Sequence, residues 1–346
     1  METAPLIDWT GKKRVNLALQ GGGAHGAFTW GVLDAILEDG RLDIEGITGT
    51  SAGAMNAVVF AQGYLQGGRK GAREALEGFW SQVSDKGSMG PVQRKLFESF
   101  FRPFGFEASA AYWWMDFVTH YASPYDYNPL DINPLRDLLT STIDFSKVRA
   151  CEEIKIFVGA TNVRTGKVAV FKREDLTPDH IMASACLPTL YKAVEIDGEF
   201  YWDGGYSGNP PLFPLFYETK SPDVVIVQIN PIERDKTPHT MPDIQNRLNE
   251  ITFNGTLLRE LRAIEFVQRL LDQGKISHED YVRPFMHRID GADPLKQFSA
   301  ASKLDSSWTS LTAIRDIGRS AAQAWLAANY DSIGLCDTMD LQAAFG

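Results

Sequence analysis

The first sixty residues carry one local pattern twice, and that repetition limits the folds open to the chain. Val15 to Leu19 is a short apolar run ending in Gln20-Gly21-Gly22-Gly23, and Ala27 to Leu37 follows with Phe28, Val32, Ala35 and Ile36 at helical spacing. Gly40 stands where helices commonly close on a left-handed glycine. Ile44 to Thr48 is a second apolar run, ending in Gly49-Thr50-Ser51-Ala52-Gly53, and a second helix extends to about Gln62. Two strand-turn-helix units in succession return the chain to the same edge each time, which demands parallel pairing. The pattern predicts an α/β fold with both glycine turns at the carboxyl edge of the sheet, where such sheets build their sites.

Residues 84 to 134 break the rhythm with Pro91, Pro103, Pro124, Pro129 and Pro134 among Phe100, Phe101, Phe104, Phe106, Trp113 and Trp114, and read as an insertion. Strands are expected again at Lys155 to Val163, Lys167 to Phe171, Ala193 to Trp202 and Val224 to Asn230. Helices dominate from 241 to 330: Ile244, Leu248 and Ile251, then Leu257, Leu261, Ile264 and Phe266, then Leu311, Ile314, Ala321 and Trp325 mark amphipathic stretches. No internal repeat or low-complexity linker divides the chain, so a single domain over 13–330 is expected.

Composition excludes several classes. The formal net charge of −10 argues against a nucleic-acid partner and against purely electrostatic docking on anionic lipid, so any peripheral membrane contact must rest on apolar and aromatic side chains. Three widely spaced cysteines, Cys151, Cys186 and Cys336, suggest neither a disulfide framework nor a zinc site, and fit a reducing cytoplasm. Met1 to Gly11 lacks a secretory pattern, and no apolar run is long enough for a spanning helix.

The first turn, Gly21-Gly22-Gly23-Ala24-His25-Gly26, satisfies G-x-G-x-x-G, the pattern of dinucleotide binding. That reading also needs a carboxylate at the end of the second strand for the ribose. Asp43 and Glu45 lie at its beginning, so the requirement is unmet. Glycines at a helix start equally suit an oxyanion hole, where main-chain N–H groups approach a negative oxygen. The second turn, Gly49-x-Ser51-x-Gly53, has the spacing of a nucleophile elbow.

A serine hydroxyl needs a base. The order Ser51, Asp203, then His239, His278 or His287 would allow a triad, but Ser51 follows only two strands and no such histidine sits in a recognisable loop motif. Asp203 is better placed, since Glu199-Phe200-Tyr201-Trp202 reads as a strand delivering its carboxylate into the turn Gly204-Gly205. An ordinary aspartate, with a pKa near ~3.9, is a feeble base, and burial beside Tyr201 and Trp202 would raise it.

Together and in this order, the Gly21–Gly26 turn, the Gly49–Gly53 turn and Asp203-Gly204-Gly205 resemble the patatin-like phospholipase family; Ser184-Ala185-Cys186-Leu187-Pro188 is similar to a fourth family segment. The resemblance runs from about Val15 to Gly205. It implies a three-layer α/β/α sandwich, a Ser51–Asp203 dyad, an oxyanion hole from amides of Gly22, Gly23 and Ala24, a lipid or acyl-ester substrate, and neither cofactor nor metal. The family usually carries Lys or Arg where this chain has His25, which is expected to brace the loop. Two other readings stay open at this stage: a nicotinamide-dependent oxidoreductase using the first turn, and a lipid-binding module without chemistry.

Overall fold

The computed structural model describes residues 11–87, 123–129, 131, 133–234, 237–295, 303 and 305–345. Strand β1 (Lys13–Leu19) passes through a 3-10 turn, Gly23–His25, into helix α1 (Gly26–Asp39), which closes on Gly40 at φ 80°. Strand β2 (Leu42–Gly49) leads into α2 (Ala52–Gly87), which bends at Gly67 and Gly68 and continues well past Gln62. The two strands pair in parallel with Leu19 opposite Gly49, so both turns leave the sheet side by side.

Six further strands complete the sheet: β3 (Lys155–Asn162), β4 (Val168–Lys172), β5 (Val194–Ile196), β6 (Glu199–Asp203), β7 (Asp223–Gln228) and β8 (Phe285–Asp290). Their order is β5-β6-β3-β2-β1-β7-β8, with β4 paired on β3. Strands β3, β2, β1, β7 and β8 are mutually parallel, whereas β4 and β6 run antiparallel to β3 and β5 antiparallel to β6. The other helices needed below are α3 (Pro178–Ser184), α4 (Phe213–Glu218), α5 (Met241–Asp272) and α6 (Trp308–Asn329).

Side chains alternate along each strand, and because both faces are covered, the central strands are apolar throughout. Val15, Leu17 and Leu19 face one core with Phe28, Trp30, Phe60 and Leu311, from α1, α2 and α6. Ala18, Val224, Ile226 and Met286 face a second core with Leu215, Leu257 and Leu261, from α4 and α5. Two cores on opposite faces of one sheet make the three layers expected.

Three details depart from the sequence reading. Ala193 to Trp202 is a hairpin, because Asp197 (φ 52°) and Gly198 (φ 79°) turn the chain between β5 and β6. A strand, β8, stands inside the stretch expected to be mainly helical. Leu248, Ile251 and Phe266 of α5 are 51, 52 and 50 % exposed, so they do not form its inward face; in the first half of α5 that face is polar, with Glu250 and Asn254 buried. Residues 88–122 of the aromatic insertion, and with them Trp113 and Trp114, lie outside the described residues. Among the described residues, no helix is long and apolar enough to cross a membrane.

Candidate active site

Ser51 is the second of the two residues between the end of β2 and the start of α2 and adopts φ 54°, a left-handed backbone that a side-chain-bearing residue enters only when its surroundings force it. The force comes from close packing. A Cβ on Gly53 would overlap the Leu19 carbonyl oxygen, and one on Gly21 would lie 2.8 Å from the Ser51 Cβ. The two glycine turns therefore interlock, each denying the other a side chain. Met55 donates its N–H to the Ser51 carbonyl at 3.0 Å, and the Ser51 N–H donates to Ser184 Oγ at 2.9 Å. Ser184, at the end of α3 and fully buried, in turn donates its hydroxyl to the Gly159 carbonyl at 2.6 Å.

Asp203 arrives from the other direction. It ends β6, paired antiparallel with Ala160 of β3, and its N–H donates to the Cys186 carbonyl at 2.8 Å. The carboxylate is 2 % exposed, accepts the Gly205 N–H at 2.7 Å on Oδ1, and lies near enough to the Ser51 side chain to interact with it. Burial pushes its pKa up to about 7, against the pull of the Gly205 N–H and the Ser51 side chain, which favour the charged form. Burial, then the Asp203 charge, likewise raises the Cys186 thiol to about 12 and the Tyr206 phenol to about 12, so both neighbours stay protonated at neutral pH. Gly205 packs against the Phe253 ring of α5, which closes this side.

The glycine loop is held by a set of amides that sequence reasoning did not single out. Asn209 Oδ1 accepts the Gly21 N–H at 2.7 Å, and Asn230 Nδ2 donates to the Gly21 carbonyl at 2.7 Å. Gln20 Oε1 accepts the N–H groups of Ile229 and Asn230 at 2.9 and 3.0 Å, and Gln20 Nε2 donates to Asn254 Oδ1 at 3.2 Å. The available signal was a polar residue closing each of two buried apolar runs, Gln20 after β1 and Asn230 after β7. Gly22, Gly23 and Ala24 enter the 3-10 turn before α1, and the first N–H groups of a helical segment lack partners within it. His25 is 4 % exposed, and burial, then the charges of Lys303 and Arg234, lower its pKa to about 4. It is neutral at pH 7.

The histidines of a conventional triad lie elsewhere. His287 sits in β8 opposite Val225 of β7, three strands from β2, and the register makes it level with Ile47. Its ring is fully buried, with Nε2 3.0 Å from Asp223 Oδ1 and Nδ1 2.9 Å from Thr338 Oγ1. His239 and His278 are exposed. The carboxylates needed for a ribose are equally misplaced: Asp43 pairs with Arg14 at 3.4 Å, and Glu45 accepts the N–H groups of Lys220 and Ser221 at 2.8 and 2.9 Å, all at the amino edge of the sheet.

A three-layer α/β sandwich with a serine on a strained strand-to-helix turn, beside a buried carboxylate, has the arrangement of α/β proteins that carry a nucleophile elbow. The chain belongs to the patatin-like phospholipase family, whose profile matches residues 17–216, and the class of activity that follows is lipid hydrolysis. No relative among curated proteins matches the sequence. Among solved structures the chain is similar to VipD from Legionella pneumophila, at 15 % identity and a TM-score of 0.42, over 93 % of this chain and 69 % of that one. It is also similar to the type III effector protein ExoU, at 14 % identity and a TM-score of 0.33, over 91 % of this chain and 53 % of that one.

Proposed function

We propose that the chain cleaves carboxylic ester bonds of phospholipids or related lipids by acyl transfer to Ser51, with Asp203 as its base and no histidine. One observation carries this reading: Ser51 stands on a left-handed strand-to-helix turn beside the buried Asp203 carboxylate, which burial pushes up to about 7, where a weak base becomes a useful one. Ser51 Oγ attacks the ester carbonyl as Asp203 takes its proton. The tetrahedral oxyanion forms against the amides of Gly22, Gly23 and Ala24, where each donor is worth ~10²–10³ in rate. Collapse expels the alcohol, which recovers the proton from Asp203. Water then attacks the acyl ester with Asp203 again as base and releases the fatty acid and free Ser51.

A fluorophosphonate probe tests the reading. It should label the wild-type chain at Ser51, label Ser51→Ala not at all, and label Asp203→Asn at least 10²-fold more slowly. Both variants should retain the wild-type circular dichroism spectrum. An unlabelled wild-type chain that binds NAD(P) would restore the oxidoreductase, and one that binds lipid alone would leave a non-catalytic module. Its substrate resides in a lipid surface, so the reading includes peripheral contact with one, made by apolar rather than charged groups.

A further inference from the structure

Behind the glycine loop lies a group of charges that the proposed chemistry has not used. Glu250 of α5 has a fully buried side chain and accepts hydrogen bonds from Arg234 Nε at 3.2 Å, Arg247 Nη1 at 3.2 Å and Asn246 Nδ2 at 3.1 Å. Lys303, half-buried, points its ammonium into the same region and donates to Asn230 Oδ1 at 3.2 Å. Three cations thus surround one carboxylate, in a chain whose formal net charge is −10. Burying an ammonium is costly unless something holds its charge, and burial does pull the Lys303 pKa down while Glu250 opposes that pull.

The position of Lys303 joins this charge to the loop by two routes. Its backbone carbonyl lies where Gly23 passes with no side chain: a Cβ on Gly23 would be 2.6 Å from the Lys303 oxygen. Its ammonium acts on Asn230, whose Nδ2 holds the Gly21 carbonyl at 2.7 Å and whose Oδ1 would stand 3.7 Å from a Cβ on Gly22. A single side chain therefore separates the ammonium from the amides of the loop. His25, inside the loop, is neutral and feels both Lys303 and Arg234, so the fixed positive charge at this place comes from outside the loop itself.

We infer that Lys303 is a positioning residue of the glycine loop, holding Asn230 and Gly23 in place and supplying the fixed positive charge that favours a developing oxyanion at the loop amides. The inference rests on the acyl-hydrolase reading above. It assigns a role to a residue outside the 17–216 stretch that defines the family. A charge acting across one intervening side chain, in surroundings of intermediate dielectric, changes a rate by roughly 10- to 100-fold.

The test compares Lys303→Gln, which keeps a donor for Asn230 without the charge, with Lys303→Arg, which keeps both, and with Lys303→Met as a second neutral variant. Melting temperature monitors the fold. The readouts are the rate of fluorophosphonate labelling at Ser51, and kcat and KM for an uncharged p-nitrophenyl ester. Lys303→Gln and Lys303→Met should lower kcat and labelling by roughly 10- to 100-fold with KM within about twofold, and Lys303→Arg should recover most of the rate. Labelling of a folded Lys303→Gln or Lys303→Met at the wild-type rate would overturn the inference and leave the dyad intact, whereas absence of labelling in the wild-type chain would overturn both. A loss confined to KM for a phosphate-bearing lysophospholipid, with the uncharged ester unaffected, would make Lys303 a head-group ligand and also overturn it.

Discussion

Burial and charge oppose one another at Asp203, and the opposition has measurable consequences. Its folded pKa, about 7, lies above the ordinary 3.8, so the native state holds a proton that the unfolded chain releases. Stability is therefore greatest below pH 3.8 as far as this group is concerned, and falls as pH rises toward about 7. Asp203→Asn, which keeps the acceptor for the Gly205 N–H, should melt higher than wild type by a margin that is small near pH 4, widens to about pH 7 and then levels, on the order of 4 kcal/mol. Under the proposed mechanism activity has the opposite sign, because Asp203 must be ionised to act as base: kcat/KM should rise through an acid limb centred near pH 7. A limb near pH 4, or an Asn variant no more stable than wild type at pH 8, would contradict the burial argument. Ser51, Asp203 and the glycines were legible because strained turns and close backbone contacts restrict residue type. Asn209 and Asn230 were not, since an amide that braces a loop from 100 or more positions away leaves no local spacing to read, and Ser184 was visible only within a segment similar to one of the family's, not as the acceptor of the Ser51 N–H.

Among the elements, β8 is the one most easily overlooked and the one with the plainest stability test. Its sequence, Phe285-Met286-His287-Arg288-Ile289-Asp290, mixes charged and apolar residues because it lies at the end of the sheet order, where Arg288 is half-buried. The strand is held by β7 on one side and by His287, which bridges Asp223 and Thr338. His287→Ala leaves the buried Asp223 and the half-buried Thr338 without it and should cost roughly 2–4 kcal/mol in chemical denaturation, while fluorophosphonate labelling of Ser51 below the melting point is unchanged. Loss of labelling in a folded His287→Ala would revive the triad. The early strands were easy to place for the converse reason: β1, β2 and β7 lie inside the sheet with both faces covered, so they read as unbroken apolar runs. Helix α5 misleads because half its inward side is spent on Glu250 and Asn254, leaving Leu248 and Ile251 outside.

At the scale of the whole molecule, the carboxyl-terminal third is structural as well as chemical. Helix α6 covers α1, with Trp308 against Trp30 at 5.9 Å and with Leu311, Ile314, Trp325 and Leu326 buried. Arg319 pairs with Asp34 and Glu38 of α1, which Arg73 of α2 also grips at 2.7 and 2.9 Å. Burying four large apolar side chains is worth roughly 6–12 kcal/mol, comparable with the net stability of an average domain. A chain ending before Trp308 should therefore be poorly soluble and bind the dye ANS; a soluble, folded fragment still labelled at Ser51 would show that the stretch common to the family suffices alone. The three-layer plan could be anticipated from two strand-turn-helix units, since parallel strands need helices on both faces. The docking of α6 on α1 could not, because its partners are separated by nearly 300 residues. One consequence of a base balanced near neutrality concerns time rather than structure. By the proposed reaction each ester cleaved yields a carboxylic acid that ionises and sheds a proton, so in a weakly buffered volume the reaction would acidify its surroundings and reprotonate Asp203. Progress curves should bend early in dilute buffer and straighten in strong buffer, making the enzyme a brake on its own output.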